Sequence, residues 1–346
     1  AITVIIIGWC AGLMASSRAE SCSLAIMGLY APIGMFGFKV YGNIMAMPLM
    51  ALTMGMCVLC VHERCWFHTI GLMLSCAFMV ALKPNTMILV IAVVIILMMD
   101  SMRSRSWVRT IPMIGAIIAA IMGVTAPVMA FGRITGLNMT GNRQPTISWL
   151  ATGITSSRDG GSGTYNPAVL EYTKYSTMKV TYDRGRITFD KAVAGFVNDP
   201  SSIVGFMTSK MIIMWADPSY GDVDYPVLMR YQWTLARGKV YTVEYDDDNG
   251  NVFNGTQSWF YKHMRDPVSV LMDGFQAMIW ALIGWEAYRM MIRHEPMDPA
   301  VLLPLLLALG GIMFHMAWEV RPEYAMPYML MLMPYAGMRM AGMVGA

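Results

Sequence analysis

The sequence predicts an all-α fold: a polytopic bundle of about nine transmembrane helices that carries a small mixed extracytoplasmic domain. Three observations predict it. Of the 346 residues, 56% are hydrophobic and the mean hydropathy is +0.48, above the roughly 45–50% apolar share of a soluble domain. Nine segments meet or nearly meet the length of about 17–25 apolar residues that a bilayer demands. The lysines and arginines of the short connections fall in alternate loops, the pattern that sets membrane orientation.

Taken in order, the segments are residues 2–17, 22–38, 44–61, 66–82, 85–99, 111–131, 268–288, 299–317 and 325–343. The second contains Pro32 and Gly34 and is expected to kink or end early. Arg18, Arg64, the group Arg103, Arg105 and Arg109, and the pair Arg289 and Arg293 mark the cytoplasmic side. The alternate connections, 38–43, 83–85, 133–267 and 319–324, then share the outer side with residue 1. This arrangement predicts one further span and outer loop ahead of Ala1. It divides the chain into an N-terminal membrane module (1–132), an extracytoplasmic domain (133–267) and a C-terminal membrane module (268–346).

Within the polar block, "RDGGSGTYNP" at 158–167 reads as a glycine-rich loop without the spacing of a phosphate loop. Residues 189–214 read as one or two amphipathic helices broken around Asp199 and Pro200. Residues 239–260 read as a hairpin turning at Asn249 and Gly250. One face of this domain is expected to rest on the bilayer.

Several function classes find no support. A net charge of +3 gives no basic excess, so no nucleic-acid partner is expected. None of the six cysteines lies in 133–267, so disulfides do not hold that block together. Cys57, Cys60, His62, Cys65 and His68 have metal-like spacing, but the first two lie inside an apolar span, where cysteine serves as a small hydrophobe; no metal site is assigned. The 38 methionines sit mainly among Leu, Ile and Ala and read as core filler.

The outer side gathers the chemistry. Lys83 closes one span, Pro84 stiffens the turn and Asn85 opens the next. A snorkelling lysine is the plain reading; the sharper one is a fixed cation for a phosphate, aided by the following helix N-terminus. Tyr41 and Asn43 precede another span, and Glu319, Arg321, Glu323 and Tyr324 precede the last. Arginine grips phosphate through a planar fork that a neighbouring carboxylate holds in place. Asp217, in "WADPSYG", is either an acceptor contact or a turn cap. Cations at the rim of an apolar bundle suit a substrate with a phosphate head and a long apolar tail, such as a lipid-linked sugar.

The stretches "YAPIGMFGFKVYGNIMAMPLMAL", "LKPNTMILVIAVVIILMMD", "PTISWLATGI", "KMIIMWADPSYG" and "WEVRPEYAMPYMLMLMP" together resemble bacterial multi-pass glycosyltransferases of the GT-C superfamily, of the dolichyl-phosphate-mannose protein mannosyltransferase-like group (family 39). The resemblance covers nearly the whole chain. It implies an inverting enzyme of the bacterial cytoplasmic membrane that moves a sugar from a polyprenyl-phosphate carrier to a glycan, lipid or protein acceptor at the extracytoplasmic face. It also implies basic residues on the departing phosphate and, in some members, a divalent cation. By match to these motifs Tyr41, Asn43, Lys83, Asn85, Arg321 and Tyr324 are candidates for the lipid-phosphate pocket, with Glu319 orienting Arg321. The superfamily's catalytic aspartate would lie ahead of Ala1. The final motif departs from the usual pattern, since Arg321 precedes Pro322 and Glu323 follows it. Two rivals are a transporter or flippase of lipid-linked sugar, with Asp273 and His315 as its intramembrane polar groups, and a non-catalytic assembly protein.

Overall fold

A computed structural model describes residues 1–36, 42–63, 65–137, 144–156, 161–164, 178–218, 220, 245–246, 251–252, 265–292 and 298–345 of the 346-residue chain. It is an α-helical bundle. Helices α1 (Ile2–Met14) and α2 (Ser17–Leu29) form a hairpin. The Ser16 hydroxyl caps α2 by accepting the Ala19 N–H at 3.3 Å, which fixes the reversal in two residues. The expected second span breaks at Tyr30, whose backbone is extended, and Pro32 stands in the first turn of a short α3 (Ala31–Phe36). The bundle continues with α4 (Gly42–His62), α5 (Trp66–Leu82), α6 (Met87–Ser104) and α7 (Thr110–Thr135).

Between α7 and α11 come α8 (Thr146–Gly153), α9 (Met178–Asn198), α10 (Ser201–Trp215) and a two-residue antiparallel pair, β1 (Tyr245–Asp246) with β2 (Asn251–Val252). The expected hairpin turn at Asn249 and Gly250 lies outside the described residues. The chain closes with α11 (Arg265–Ile292), α12 (Leu303–Ala317) and α13 (Met326–Val344).

Among the described residues, five helices are long and apolar enough to cross a membrane, against the nine spans the sequence predicts: Gly42–His62, Pro84–Ser104, Trp107–Thr135, Pro267–Ile292 and Pro299–Ala317. Ile2–Met14 and Trp66–Leu82 form shorter apolar helices. On α7 the isoleucines 111, 114, 118 and 121 are exposed along one face, the surface such a helix offers to lipid. Its opposite face carries Gly115, Ala116, Ala119, Ala120 and Gly123 and packs on α5. At Gly123 a Cβ would lie 2.3 Å from the Ala77 carbonyl oxygen, so only glycine permits this approach. The centre of the bundle is α13. Every residue from Met326 to Gly337 is buried, and the helix packs against α1, α2, α4, α11 and α12. A helix apolar on all sides belongs at a core.

Two polar contacts tie the helices between α7 and α11 to this bundle. The Tyr30 hydroxyl bonds the Gln276 side chain and lies 2.8 Å from the Tyr220 hydroxyl, joining α2, α11 and the chain beyond α10 in a buried network. On the α12 side, Lys210 of α10 is 1% exposed and donates to the carbonyls of Gly153 at 2.5 Å, Met316 at 2.8 Å and Trp318 at 3.0 Å. Those acceptors are the C-terminal ends of α8 and α12, where unsatisfied carbonyls and the negative end of the helix dipole collect. Burial pushes the Lys210 amine down to about 7. The three acceptors match the three hydrogens of an ammonium and favour its charged form. Lys210→Met keeps the stem and removes the donors, stranding buried carbonyls that cost roughly 1–3 kcal/mol each. The variant is expected to lose at least about 3 kcal/mol of stability, read as a lower unfolding temperature of the detergent-solubilised protein.

Candidate functional site

The candidate site is a cleft at the end of the bundle where five helix termini meet. Each terminus is shaped by a local signal. Lys83 takes an extended conformation at the end of α5 because Pro84 follows it. Pro84 opens a 3-10 turn, Pro84–Thr86, that leads into α6, and the Thr86 hydroxyl closes it on the Lys83 carbonyl at 2.7 Å. Arg321 is likewise extended ahead of Pro322, which opens a second 3-10 turn, Pro322–Tyr324, before α13. The first turn of α4 contributes Asn43, and the last turn of α12 contributes His315.

These termini bring Asn43, Lys83, Asn85, Thr86, His315 and Tyr324 around one cleft, floored by Met50, Ile88, Leu307 and Tyr328. The Lys83 ammonium sits 5.5 Å from the centroid of the Tyr324 ring, a cation–π distance. The His315 ring stacks on Tyr324 at 5.4 Å and meets Tyr328 edge-on at 6.2 Å. Its Nδ1 lies 2.9 Å from the Glu319 carbonyl. A carbonyl only accepts, so Nδ1 carries the hydrogen and Nε2 is the lone-pair nitrogen of this buried ring. The cleft has a volume of about 30 Å³, room for one or two waters. Admitting a phosphate requires the Lys83 and Tyr324 side chains to part.

Beside the cleft stands an ionic triad. Arg321 Nε donates to Glu319 Oε1 at 3.0 Å and Nη1 reaches Glu323 Oε1 at 3.5 Å. Glu319 is 2% exposed, Arg321 38%. Burial raises the Glu319 carboxyl above the ordinary range, with Arg321 pulling the other way. Burial also works against the Arg321 charge, but Tyr324, Glu319 and Glu323 outweigh it and hold the guanidinium above the ordinary arginine range. Glu319 thus contacts Arg321 as expected, while Arg321 is not among the side chains that line the cleft. Tyr324 is the common neighbour of both cations.

Gly163, from the glycine-rich stretch, braces this triad. Gly163, at φ +69°, takes the Thr155 carbonyl through its own N–H at 2.9 Å and accepts the Val320 N–H at 2.9 Å. A Cβ there would stand 2.5 Å from the Lys210 stem, so the left-handed turn and the close approach both call for glycine. Residues 316–320 are therefore held by Lys210 from one element and Gly163 from another.

The remaining expectations fall elsewhere. Tyr41 lies outside the described residues, although its neighbour Gly42 stands near the Lys83 stem. The Asp217 carbonyl accepts the Tyr220 N–H at 3.3 Å, a turn-forming role. Asp273 is exposed on α11. His62 pairs with Asp298 at 2.5 Å and His68 with Glu63 at 3.7 Å, so the two histidines of the Cys/His cluster turn to separate carboxylates. Among the described residues no three His, Cys, Asp or Glu side chains gather as metal ligands. Sequence reasoning weighed His315 only as a transport residue; its signal for the cleft was the four-residue spacing to Glu319, one helical turn. Lys210 carried no signal beyond being a lysine in an apolar helix. No protein-family model matches the chain, and neither a curated protein nor a solved structure matches it.

Proposed function

We propose that the chain is an integral membrane glycosyltransferase that moves a sugar from a polyprenyl-phosphate carrier to an acceptor, with the Lys83 end of the bundle and the 133–267 block on the extracytoplasmic side. The convergence of Lys83 with Asn43, Asn85, Thr86 and Tyr324 at the rim of an apolar bundle carries the reading. Transfer of this kind joins an acceptor oxygen to the anomeric carbon and breaks that carbon's bond to phosphate oxygen. Negative charge then grows on the departing phosphate, and a fixed cation with amide donors lowers the barrier by stabilising it. Lys83 supplies the charge, Asn43 and Asn85 the neutral donors, and the first turn of α6 a favourable dipole. The prenyl tail stays in lipid along the flank of the bundle, which confines the substrate to the membrane plane without using the cleft.

Arg321 serves from beside the cleft. Clamped by Glu319 and Glu323, its fork is already oriented, which reduces the side-chain entropy lost when a phosphate oxygen arrives. His315 Nε2 is the lone-pair nitrogen within the cleft and is available to take the acceptor's proton. A divalent cation is compatible with the chemistry, but the described residues offer no cluster to hold one without help from the substrate phosphate.

Transfer of radiolabelled sugar from a polyprenyl phosphate in proteoliposomes tests the reading. Lys83→Ala is expected to lower turnover by roughly 10²-fold, the scale of one lost electrostatic donor, while membrane insertion is unchanged. Arg321→Ala is expected to lower it as well; full activity in both variants removes the two cations from the pocket. Movement of the lipid-linked sugar between leaflets without transfer would identify a flippase instead.

Glu319→Gln separates charge from shape. It preserves an oxygen acceptor for Arg321 but removes a buried negative charge, whose burial is costly. Turnover is expected to fall roughly tenfold through a loosened Arg321, while the unfolding temperature holds or rises.

A further inference from the structure

The α9–α10 hairpin divides sharply along its length. Of the fourteen residues 178–191, six are charged: Lys179, Asp183, Arg184, Arg186, Asp190 and Lys191. Of the eighteen residues 192–209, Asp199 alone is charged. Its carboxylate is occupied at the turn, where Oδ1 accepts the Ser201 N–H at 3.2 Å and the Ser201 hydroxyl at 2.5 Å. Phe196 and Phe206 meet edge-to-face at 5.3 Å and clasp the two helices together. Around that clasp Val197, 70% exposed, and Val204, 71% exposed, open outward with Val193 and Ile203, while the turn itself exposes Asn198, Asp199, Ser201 and Ser202. An apolar lobe with a single charged residue, set on a charged base, is the reverse of what a hairpin standing in water carries.

The position of the hairpin's root identifies what covers the lobe. Through Lys210, α10 is bonded to Met316 and Trp318 at the end of a helix long and apolar enough to cross a membrane. Trp215, at its C-terminus, packs 5.9 Å from both Trp280 of α11 and Tyr328 of α13. The root therefore sits at the rim of the bundle. Six residues separate Lys210 from Val204, about 9 Å of helix, and ten separate it from Pro200 at the turn, about 15 Å, so a hairpin lying along the membrane surface keeps the lobe at the level of the bundle's rim. Ile212, 59% exposed, and Val204 lie two turns apart on α10, with the partly exposed Met207 and Met211 and the exposed Thr208 between them, so the exposed face from the rim to the lobe is mainly apolar. We propose that residues 192–206 rest in the headgroup and upper acyl layer of the leaflet at the Lys83 end, an interfacial anchor in which aliphatic side chains enter lipid while the charged base stays in water. The anchor is independent of the glycosyltransferase reading. Its consequence is mechanical: because Lys210 belongs to the same helix, lipid contact at the lobe stiffens the strut that braces Glu319 and Arg321.

The test uses the full chain in phosphatidylethanolamine and phosphatidylglycerol vesicles. Spin labels are placed singly at Val197, Val204 and, as reference, Arg186, in a background whose six native cysteines are replaced by serine or alanine. Collision with oxygen, which partitions into lipid, is compared with collision with a water-soluble nickel chelate. Labels at Val197 and Val204 are expected to favour oxygen severalfold over the chelate, with the order reversed at Arg186. Chelate access at Val197 and Val204 equal to that at Arg186 overturns the proposal, and so does shielding of both from both reagents, which would mean that protein covers the lobe. A second measurement needs no substitution. Photoreactive phospholipid crosslinked to the unaltered chain is expected to map to 192–206 in preference to 179–191, and equal capture of the two segments overturns the anchor.

Discussion

A single ammonium group, that of Lys210, ties the candidate site together. It reaches the carbonyl ends of two helices that are far apart in sequence and gives each a donor where the backbone has none left. Withdrawing such a group from water is unfavourable, and the three carbonyl bonds offset that cost. Arginine would present a planar fork where the three oxygens call for a compact cation. Because Lys210 sits on a helix that also meets the core through Met214 and Trp215, the end of α12 cannot shift without disturbing the bundle. His315 and Glu319 inherit their positions from that restraint.

The site is made of helix ends rather than helix faces. Pro84 and Pro322 each force an extended residue before a short 3-10 turn, and those extended residues are Lys83 and Arg321. A cation at such a break is free of the helix rotamer constraints and lies at the level where an apolar bundle meets polar surroundings. The two cations nevertheless have different circumstances. Lys83 faces an aromatic ring inside a small cleft, whereas Arg321 is pinned by two carboxylates beside it. In chemical terms the first is a cation lining a cleft and the second an oriented fork held at its margin.

Methionine is a large part of how the bundle accommodates this construction. Met47, Met50 and Met54 of α4, Met79 of α5 and Met326, Met329, Met331 and Met333 of α13 are all buried. Their unbranched side chains fill the irregular spaces left by prolines within or beside the helices, such as Pro48 and Pro334. Where the chains must touch more closely, as at α5 and α7, glycine and alanine replace them.

The sequence by itself determined the helical bundle, the apolar length of its longest members, the break at Asp199 and Pro200, and the turn built on Pro84. Each of these follows from interactions within a few residues: hydrophobic periodicity, the steric demand of proline on its predecessor, and the capping power of short polar side chains. It also pointed to Tyr41, Asn43, Lys83, Asn85, Glu319, Arg321 and Tyr324 as one group, since alternation of loops predicts which ends of the helices coincide. Only the tertiary structure decided that His315 belongs with them, that Arg321 lies beside the cleft clamped by carboxylates, that Gly163 braces residues 316–320, and that Lys210 holds two helix ends. Those choices depend on side chains brought together across more than a hundred residues by the packing of the bundle, and no periodicity or local preference along the chain encodes which distant ends will meet.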